Sequence, residues 1–185
     1  MMRLFIAAPI SIEVEKELAR IISGLKNFSG PVKWVAPSNI HLTLKFLGNT
    51  DEKLVPQLKN IMDEIASNHS SVSSGLSGLG AFPDYRRPRV FWAGLERSAE
   101  ELSRIAGEIE QAVHVLGFEK ENRPFKAHLT LGRVKFPQGL EKLCDAIKGF
   151  KVEPKQFVFD RIILFKSTLT PRGSIYDIVH ESKLS

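Results

Sequence analysis

Apolar positions recur along this chain with two periods, and the switches between them mark out strands and helices. Leu4 to Pro9 is an apolar run of strand length that proline ends. A helical period follows, with Leu18, Ile21, Ile22 and Leu25 on one stripe. Ser11 is placed to start that helix, Glu13 and Glu15 fall in the first turn where the macrodipole favours carboxylates, and Ser29-Gly30-Pro31 stops it. Val32 to Val35 is a short extended piece, Pro37-Ser38-Asn39 a turn, and Ile40 to Leu47 a strand closed by Gly48-Asn49. From Asp51 to Ser67 the helical stripe returns as Leu54, Leu58, Ile61, Met62 and Ile65, with Pro56 compatible only with the first turn. Ile65 to Pro83 carries no charged side chain and is rich in Ser and Gly. It predicts a loop leading into a strand over Gly75 to Phe82, with a long linker as the alternative.

After a basic turn, Asp84-Tyr85-Arg86-Arg87-Pro88-Arg89, the same order of elements begins again. Val90 to Leu95 is a strand, and Ser98 with Glu101 three residues on reads as a capping box. The helix it opens buries Leu102, Ile105, Ile109, Val113 and Leu116 and stops at Gly117. A charged turn, a strand over Ala127 to Val134, a helix from Leu140 to Lys148 and a strand from Gln156 to Phe165 follow. The separation of Leu4 from His41 differs by a single position from that of Val90 from His128. The pattern predicts an internal duplication of strand, helix, histidine strand, helix, strand within one two-lobed domain, 1–185, with repeats over 1–87 and 88–165. Lys166 to Pro171 with Arg172-Gly173 forms a turn, and Ile175 to Val179 a last strand that closes a hairpin on the one before it.

Composition narrows the class. At 185 residues, 43% hydrophobic and 25% charged, the chain can build its own core. No apolar run is long enough to span a membrane, and the stretch from Leu4 to Ile10 is too short for a signal peptide, so a cytoplasmic monomer with no membrane partner is expected. Cys144 is the only cysteine, which excludes an intrachain disulfide and a thiolate zinc site; a buried position on a helix suits it. The net charge of +5 favours an anionic partner, and neither half is a basic tail.

The candidate chemistry lies in a stretch that occurs twice, His41-Leu42-Thr43-Leu44 and His128-Leu129-Thr130-Leu131. In a strand, the period of two puts His and Thr on one face and both leucines on the other. Two such strands in a pseudo-symmetric fold aim two imidazoles and two hydroxyls into one cleft. No Asp or Glu occurs from Asn27 to Thr50 or from Asn122 to Leu140, whereas these windows carry Lys33, Lys45, Arg123, Lys126, Arg133 and Lys135. Such surroundings suit an anion and lack the carboxylates a divalent metal would want, so a metal-free, cofactor-free site is expected. Two histidines facing a phosphodiester allow one imidazole to take a proton from water while the other protonates the leaving oxygen. Thr43 and Thr130 would hold non-bridging phosphate oxygens. One such His-Thr pair is ordinary on a strand surface; its repetition at equivalent places is what carries the reading.

These motifs, with Leu4-Phe5-Ile6-Ala7 at the start, Lys45-Phe46-Leu47-Gly48 after the first histidine motif and Gly132-Arg133 after the second, resemble the two-histidine phosphoesterase superfamily. Within it the chain is similar to the bacterial and archaeal RNA 2′,3′-cyclic phosphodiesterases, also called 2′-5′ RNA ligase-like proteins, over essentially its whole length. The resemblance implies a bilobal α+β fold in which two antiparallel β-sheets form a central cleft flanked by helices. It implies metal-independent opening of a terminal 2′,3′-cyclic phosphate to a 2′-phosphomonoester, and the reverse 2′-5′ joining of RNA halves. RNA with a cyclic phosphate end, tRNA fragments included, is the implied partner. It also implies that His41 is the proton donor, His128 the proton acceptor, and Arg133 a phosphate-binding residue. Other cyclic or 2′-5′ linked nucleotides are alternative substrates, and a non-catalytic RNA-end binding module is the alternative from another class.

Strict alternation from His128 would place Arg133 on the far face, so an inward Arg133 requires a bulge, for which Gly132 is the candidate. Lys45 has the parity of His41 and Thr43 and is a candidate RNA contact. Phe46 and Trp92 could stack a terminal base, although a core position is the expectation for both. Arg86, Arg87 and Arg89 could hold RNA backbone, although charge clusters in turns are usually solvated, and His69, His114 and His180 have no repeated context and no assigned role.

Overall fold

The computed structural model describes residues 1–171 and 173–185. The first half runs β1 (Met2–Pro9), α1 (Ile12–Leu25), β2 (Val32–Trp34), β3 (His41–Thr50), α2 (Val55–Asn68) and β4 (Val72–Phe82). The second runs β5 (Val90–Glu96), α3 (Ala99–Val115), β6 (His128–Val134), α4 (Glu141–Gly149), β7 (Gln156–Phe159), β8 (Arg161–Thr170) and β9 (Gly173–Lys183). The strands form two antiparallel sheets, one in the order β3-β1-β8-β9 and the other β2-β6-β5-β4-β7. The fold is therefore α+β, and each sheet carries one histidine strand. Leu4, Ile6 and Leu42 beneath the first sheet join Phe91, Leu129 and Leu131 beneath the second in one apolar cluster that the helices cover.

Local chemistry explains most boundaries. Ser11 caps α1, its hydroxyl accepting from the Val14 N–H at 3.4 Å, and Leu18, Ile21, Ile22 and Leu25 are buried as the stripe requires. A 3-10 turn over Glu52–Leu54 precedes α2 and leaves Pro56 in its first turn. The closing hairpin pairs β8 with β9 from Arg161↔Lys183 to Thr170↔Gly173, so Lys166 to Thr170, expected in the turn, are strand; Arg172 of the predicted turn lies outside the described residues. No helix among the described residues is long and apolar enough to cross a membrane.

Three expectations are corrected. Gln156 to Phe165 is not one strand: the chain changes sheets at Asp160, so β7 pairs with β4 and β8 with β1. The buried positions change parity across that break, from Phe157 and Phe159 to Ile162 and Leu164, but the continuous apolar runs Phe157 to Phe159 and Ile162 to Phe165 hide the change. The Ser/Gly-rich stretch is no linker: α2 runs to Asn68, and the strand expected over Gly75 to Phe82 forms but starts at Val72, its small residues making room for large neighbours. A Cβ at Gly80 would lie 2.1 Å from the Trp92 ring. Finally, Ser98 precedes α3 without capping it. Its hydroxyl is buried 2.8 Å from that of Ser74, so the predicted capping box does not form.

Candidate active site

The same backbone irregularity shapes both histidine strands. In β3, Thr43 pairs with Ala7 and Lys45 with Ile6, which leaves Leu44 without a partner. In β6, Thr130 pairs with Trp92 and Gly132 with Phe91, which leaves Leu131 without one. Each is a one-residue bulge just after the His-x-Thr segment, and each inverts the parity of the residues beyond it. Before the bulge, Leu42 and Leu129 are fully buried while His41, Thr43, His128 and Thr130 line a common cleft. Past it, Leu44 and Lys45 are both buried and Phe46 turns outward, 42% exposed; in the other half Leu131 and Gly132 are buried and Arg133 turns into the cleft.

Two expectations change with this geometry. Arg133 shares the cleft with His128 and Thr130, through a bulge at Leu131 and not at Gly132. Lys45 borders the cleft but does not point with Thr43: it is 3% exposed, and its ammonium lies 2.9 Å from Glu110 Oε1 and donates to the Glu119 carbonyl at 2.7 Å, so its charge is met within the protein. Gly132 serves packing. A Cβ there would meet Val32 Cγ1 at 2.7 Å and the Trp34 ring at 2.9 Å. Gly132→Ala is therefore expected to destabilise the protein by about 1–3 kcal/mol by pushing β2 off β6, measured as a lower denaturant midpoint. An unchanged midpoint would show that β2 can move without loss.

Both imidazoles are oriented in the same way. His41 Nδ1 lies 2.8 Å from the Asn39 carbonyl and His128 Nδ1 2.6 Å from the Lys126 carbonyl, in each case two residues back along the chain. A carbonyl oxygen can only accept, so Nδ1 carries hydrogen in both rings and Nε2 is the nitrogen whose proton comes and goes. The His41 ring stacks on Phe5, with centroids 4.8 Å apart, and meets Tyr176 edge-on at 5.4 Å. His128 meets Phe82 edge-on at 5.0 Å. Burial among these rings pushes the His41 imidazole down to about 4, partly offset by the Asn39 carbonyl. His128 is also lowered, first by burial and further by Arg133, against the Lys126 carbonyl.

The cleft measures about 590 Å³. Its walls carry Arg3, Arg123, Lys126 and Arg133, together with one carboxylate, Glu121, from just outside the acid-free window. Among the described residues no group of three or more His, Cys, Asp or Glu side chains is placed to hold a metal ion. The arrangement presents two imidazoles, two hydroxyls and several cations to an anion, the equipment for moving protons at a phosphate.

Several cleft residues escaped the sequence reading. Phe5 and Tyr176 enclose His41 from strands far apart in the chain, and Ser167 and Ser174 complete that wall. Phe46, expected in the core, is exposed in the cleft with the Arg3 guanidinium 4.7 Å above its ring. Only the position of the bulge distinguishes it from a core residue. Trp92 packs over Gly80 and beside Phe82. His69 and His180 pair with Glu108 and Asp63, and His114 bonds the Phe118 carbonyl, all away from the cleft. Arg86 and Arg87 are exposed in a turn that Asp84 closes through their backbone N–H groups.

A LigT-like phosphoesterase model matches residues 9–92 and again residues 94–176. The chain is 38% identical to the RNA 2′,3′-cyclic phosphodiesterase of Methanocaldococcus jannaschii, over 97% of this chain and 99% of that one. It is 35% identical to the Thermotoga maritima protein of the same name, over 97% and 94%. Among solved structures, a Thermus thermophilus protein superposes with a TM-score of 0.82 at 30% identity over 99% of this chain and 98% of that one. Escherichia coli LigT superposes with a TM-score of 0.79 at 22% identity over 100% and 98%, a likeness of fold alone.

Proposed function

The chain belongs to the LigT-like phosphoesterase family, and from that premise we propose that it opens the terminal 2′,3′-cyclic phosphate of RNA to a 2′-phosphomonoester. The observation that carries this reading is the pair of equivalent imidazoles, each fixed through Nδ1 on a carbonyl and each lining one cationic cleft. Water attacks phosphorus and gives a proton to Nε2 of His128, while Nε2–H of His41 protonates the departing 3′ oxygen as the P–O3′ bond breaks. The products are a 2′-phosphate and a 3′-hydroxyl. Thr43 and Thr130 donate to the non-bridging oxygens, and Arg133 neutralises the charge that grows on them. With a 5′-hydroxyl in place of water, the same two proton transfers join RNA ends in a 2′-5′ linkage. RNA fragments with cyclic phosphate ends, those from tRNA included, are the proposed substrates.

The reaction is proposed to need no metal, since two histidines and Glu121 are a poor donor set and the charge on phosphorus already has cations and hydroxyls to meet it. Incubation of a short RNA ending in a 2′,3′-cyclic phosphate with excess EDTA should still yield the 2′-phosphate. A 3′-phosphate product, or activity lost to EDTA and restored by a divalent ion, would overturn the proposal.

Burial sets the pH dependence. The productive form holds a proton on His41 and none on His128. His41 in the free enzyme loses its proton as pH rises through about 4, and His128 loses its own below the ordinary value. That form is most abundant between the two, so kcat/KM should peak on the acid side of about pH 6.5, the ordinary imidazole value. A bound phosphate anion raises both imidazoles, and the acid role of His41 depends on it. The kcat optimum should accordingly lie at higher pH than that of kcat/KM. Coincident optima would show that substrate does not supply the missing protonation.

A further inference from the structure

From Phe118 to Ala127, between α3 and β6, the chain has neither helix nor strand, yet Glu121, Arg123, Pro124, Phe125 and Lys126 wall the cleft. A loop keeps one course only where its backbone groups find partners. One ion pair, between a buried ammonium and a half-buried carboxylate, provides them here. Lys45 is 3% exposed, and its ammonium bridges Glu110 Oε1 at 2.9 Å and the Glu119 carbonyl at 2.7 Å. The same Glu110 oxygen accepts the Glu121 N–H at 2.9 Å. Three elements meet at this knot: the first histidine strand through Lys45, helix α3 through Glu110, and the loop that leads to His128.

The pair does not belong to the duplicated equipment. Lys45 and Gly132 come after their bulges at the same place, and glycine has nothing to offer an acid. An ion pair whose ammonium is taken out of water also contributes little net stability compared with apolar packing, so stability alone does not explain one at this spot. The knot holds Glu119 and Glu121, and the cations that follow them along the loop, Arg123 and Lys126, stand on the cleft wall. We propose that Lys45 and Glu110 are positioning residues that hold the 118–127 loop as a rail for the RNA strand on the 5′ side of the terminal nucleotide. The proposal rests on the activity inferred above. The knot grips the loop at Glu119 and Glu121, at the opposite end from the Lys126 carbonyl that orients His128, so it governs binding of a strand and leaves the chemistry at the terminal phosphate alone.

The test compares a short RNA ending in a cyclic phosphate with a nucleoside 2′,3′-cyclic monophosphate, which has no strand to place on the rail. In Glu110→Ala and Lys45→Met, KM for the RNA should rise at least about tenfold, the loss of one charge-assisted anchor, while kcat on both substrates and KM for the mononucleotide move less than about twofold. Glu110→Gln keeps an oxygen acceptor in place and preserves the fold if the others lose it; its RNA KM should rise by an intermediate factor. Hydrogen exchange at the Glu121 amide, read without substrate, should quicken in Glu110→Ala by at least about tenfold for the same lost bond. An unchanged RNA KM, an equal rise on both substrates, or unchanged exchange at Glu121 would overturn the proposal. A parent protein that opens neither substrate would instead contradict the proposed activity, and the exchange measurement would still decide the role of the knot.

Discussion

His128→Ala and His41→Ala should each lower kcat/KM for an RNA 2′,3′-cyclic phosphate at least about a hundredfold, the lower end of what a positioned general acid or base contributes. The loss should fall mainly on kcat, because the phosphate would still meet Thr43, Thr130 and Arg133, all of which line the cleft independently of the rings. The two variants differ in their effect on the fold. His128 touches Phe82 at the cleft wall, and its removal exposes little. His41 is enclosed by Phe5, Phe165 and Tyr176, so His41→Ala leaves a gap among packed rings and should also melt earlier. Activity is therefore compared well below both melting temperatures. A loss of less than about tenfold in either variant, far under the range for such catalysis, would remove that histidine from the chemistry.

Thr43→Val and Thr130→Val should each lower kcat by about a hundredfold, near the low end for removing one donor to a developing oxyanion. Valine matches threonine in shape and favours strands equally well, so the exchange removes a hydroxyl and little else. Neither Thr43 nor Thr130 is buried, which keeps the expected stability change within about 0.5 kcal/mol, as for surface positions. KM should change less than kcat, since the hydroxyls act most strongly on charge that grows as water adds. A matched rise in KM with kcat unchanged would mean that they hold the ground state and not the transition state.

Periodicity was a good guide wherever one face of an element meets one core. The stripe of α1, the leucines of both histidine motifs and the closing hairpin are all set by residues near one another in sequence. The fold departs from that reading where a distant partner decides. Leu44 and Leu131 are bulged because of how β3 meets β1 and β6 meets β5, and nothing within either strand announces it. One register shift in each strand thus reverses the expected faces of Lys45 and Phe46 in β3 and of Arg133 in β6. Ser98 has the sequence of a cap and finds Ser74 instead, because β4 brings a second buried hydroxyl to it. The histidines and threonines were legible because they are repeated. Tyr176 and Phe5 occur once each in the site, and only the assembled fold brings them to it.

The most direct test of paired-histidine chemistry is the rate of ring opening when sulfur replaces the 3′ oxygen of the cyclic phosphate. A thiolate departs without being protonated, so the step assigned to His41 is no longer needed, while water must still lose a proton to His128. On this substrate His41→Ala should recover most of the activity it lost on the oxygen substrate, and His128→Ala should remain as impaired as before. Rescue of His128→Ala with none for His41→Ala would exchange the acid and the base, and equal behaviour of the two variants would contradict a division of labour between the histidines.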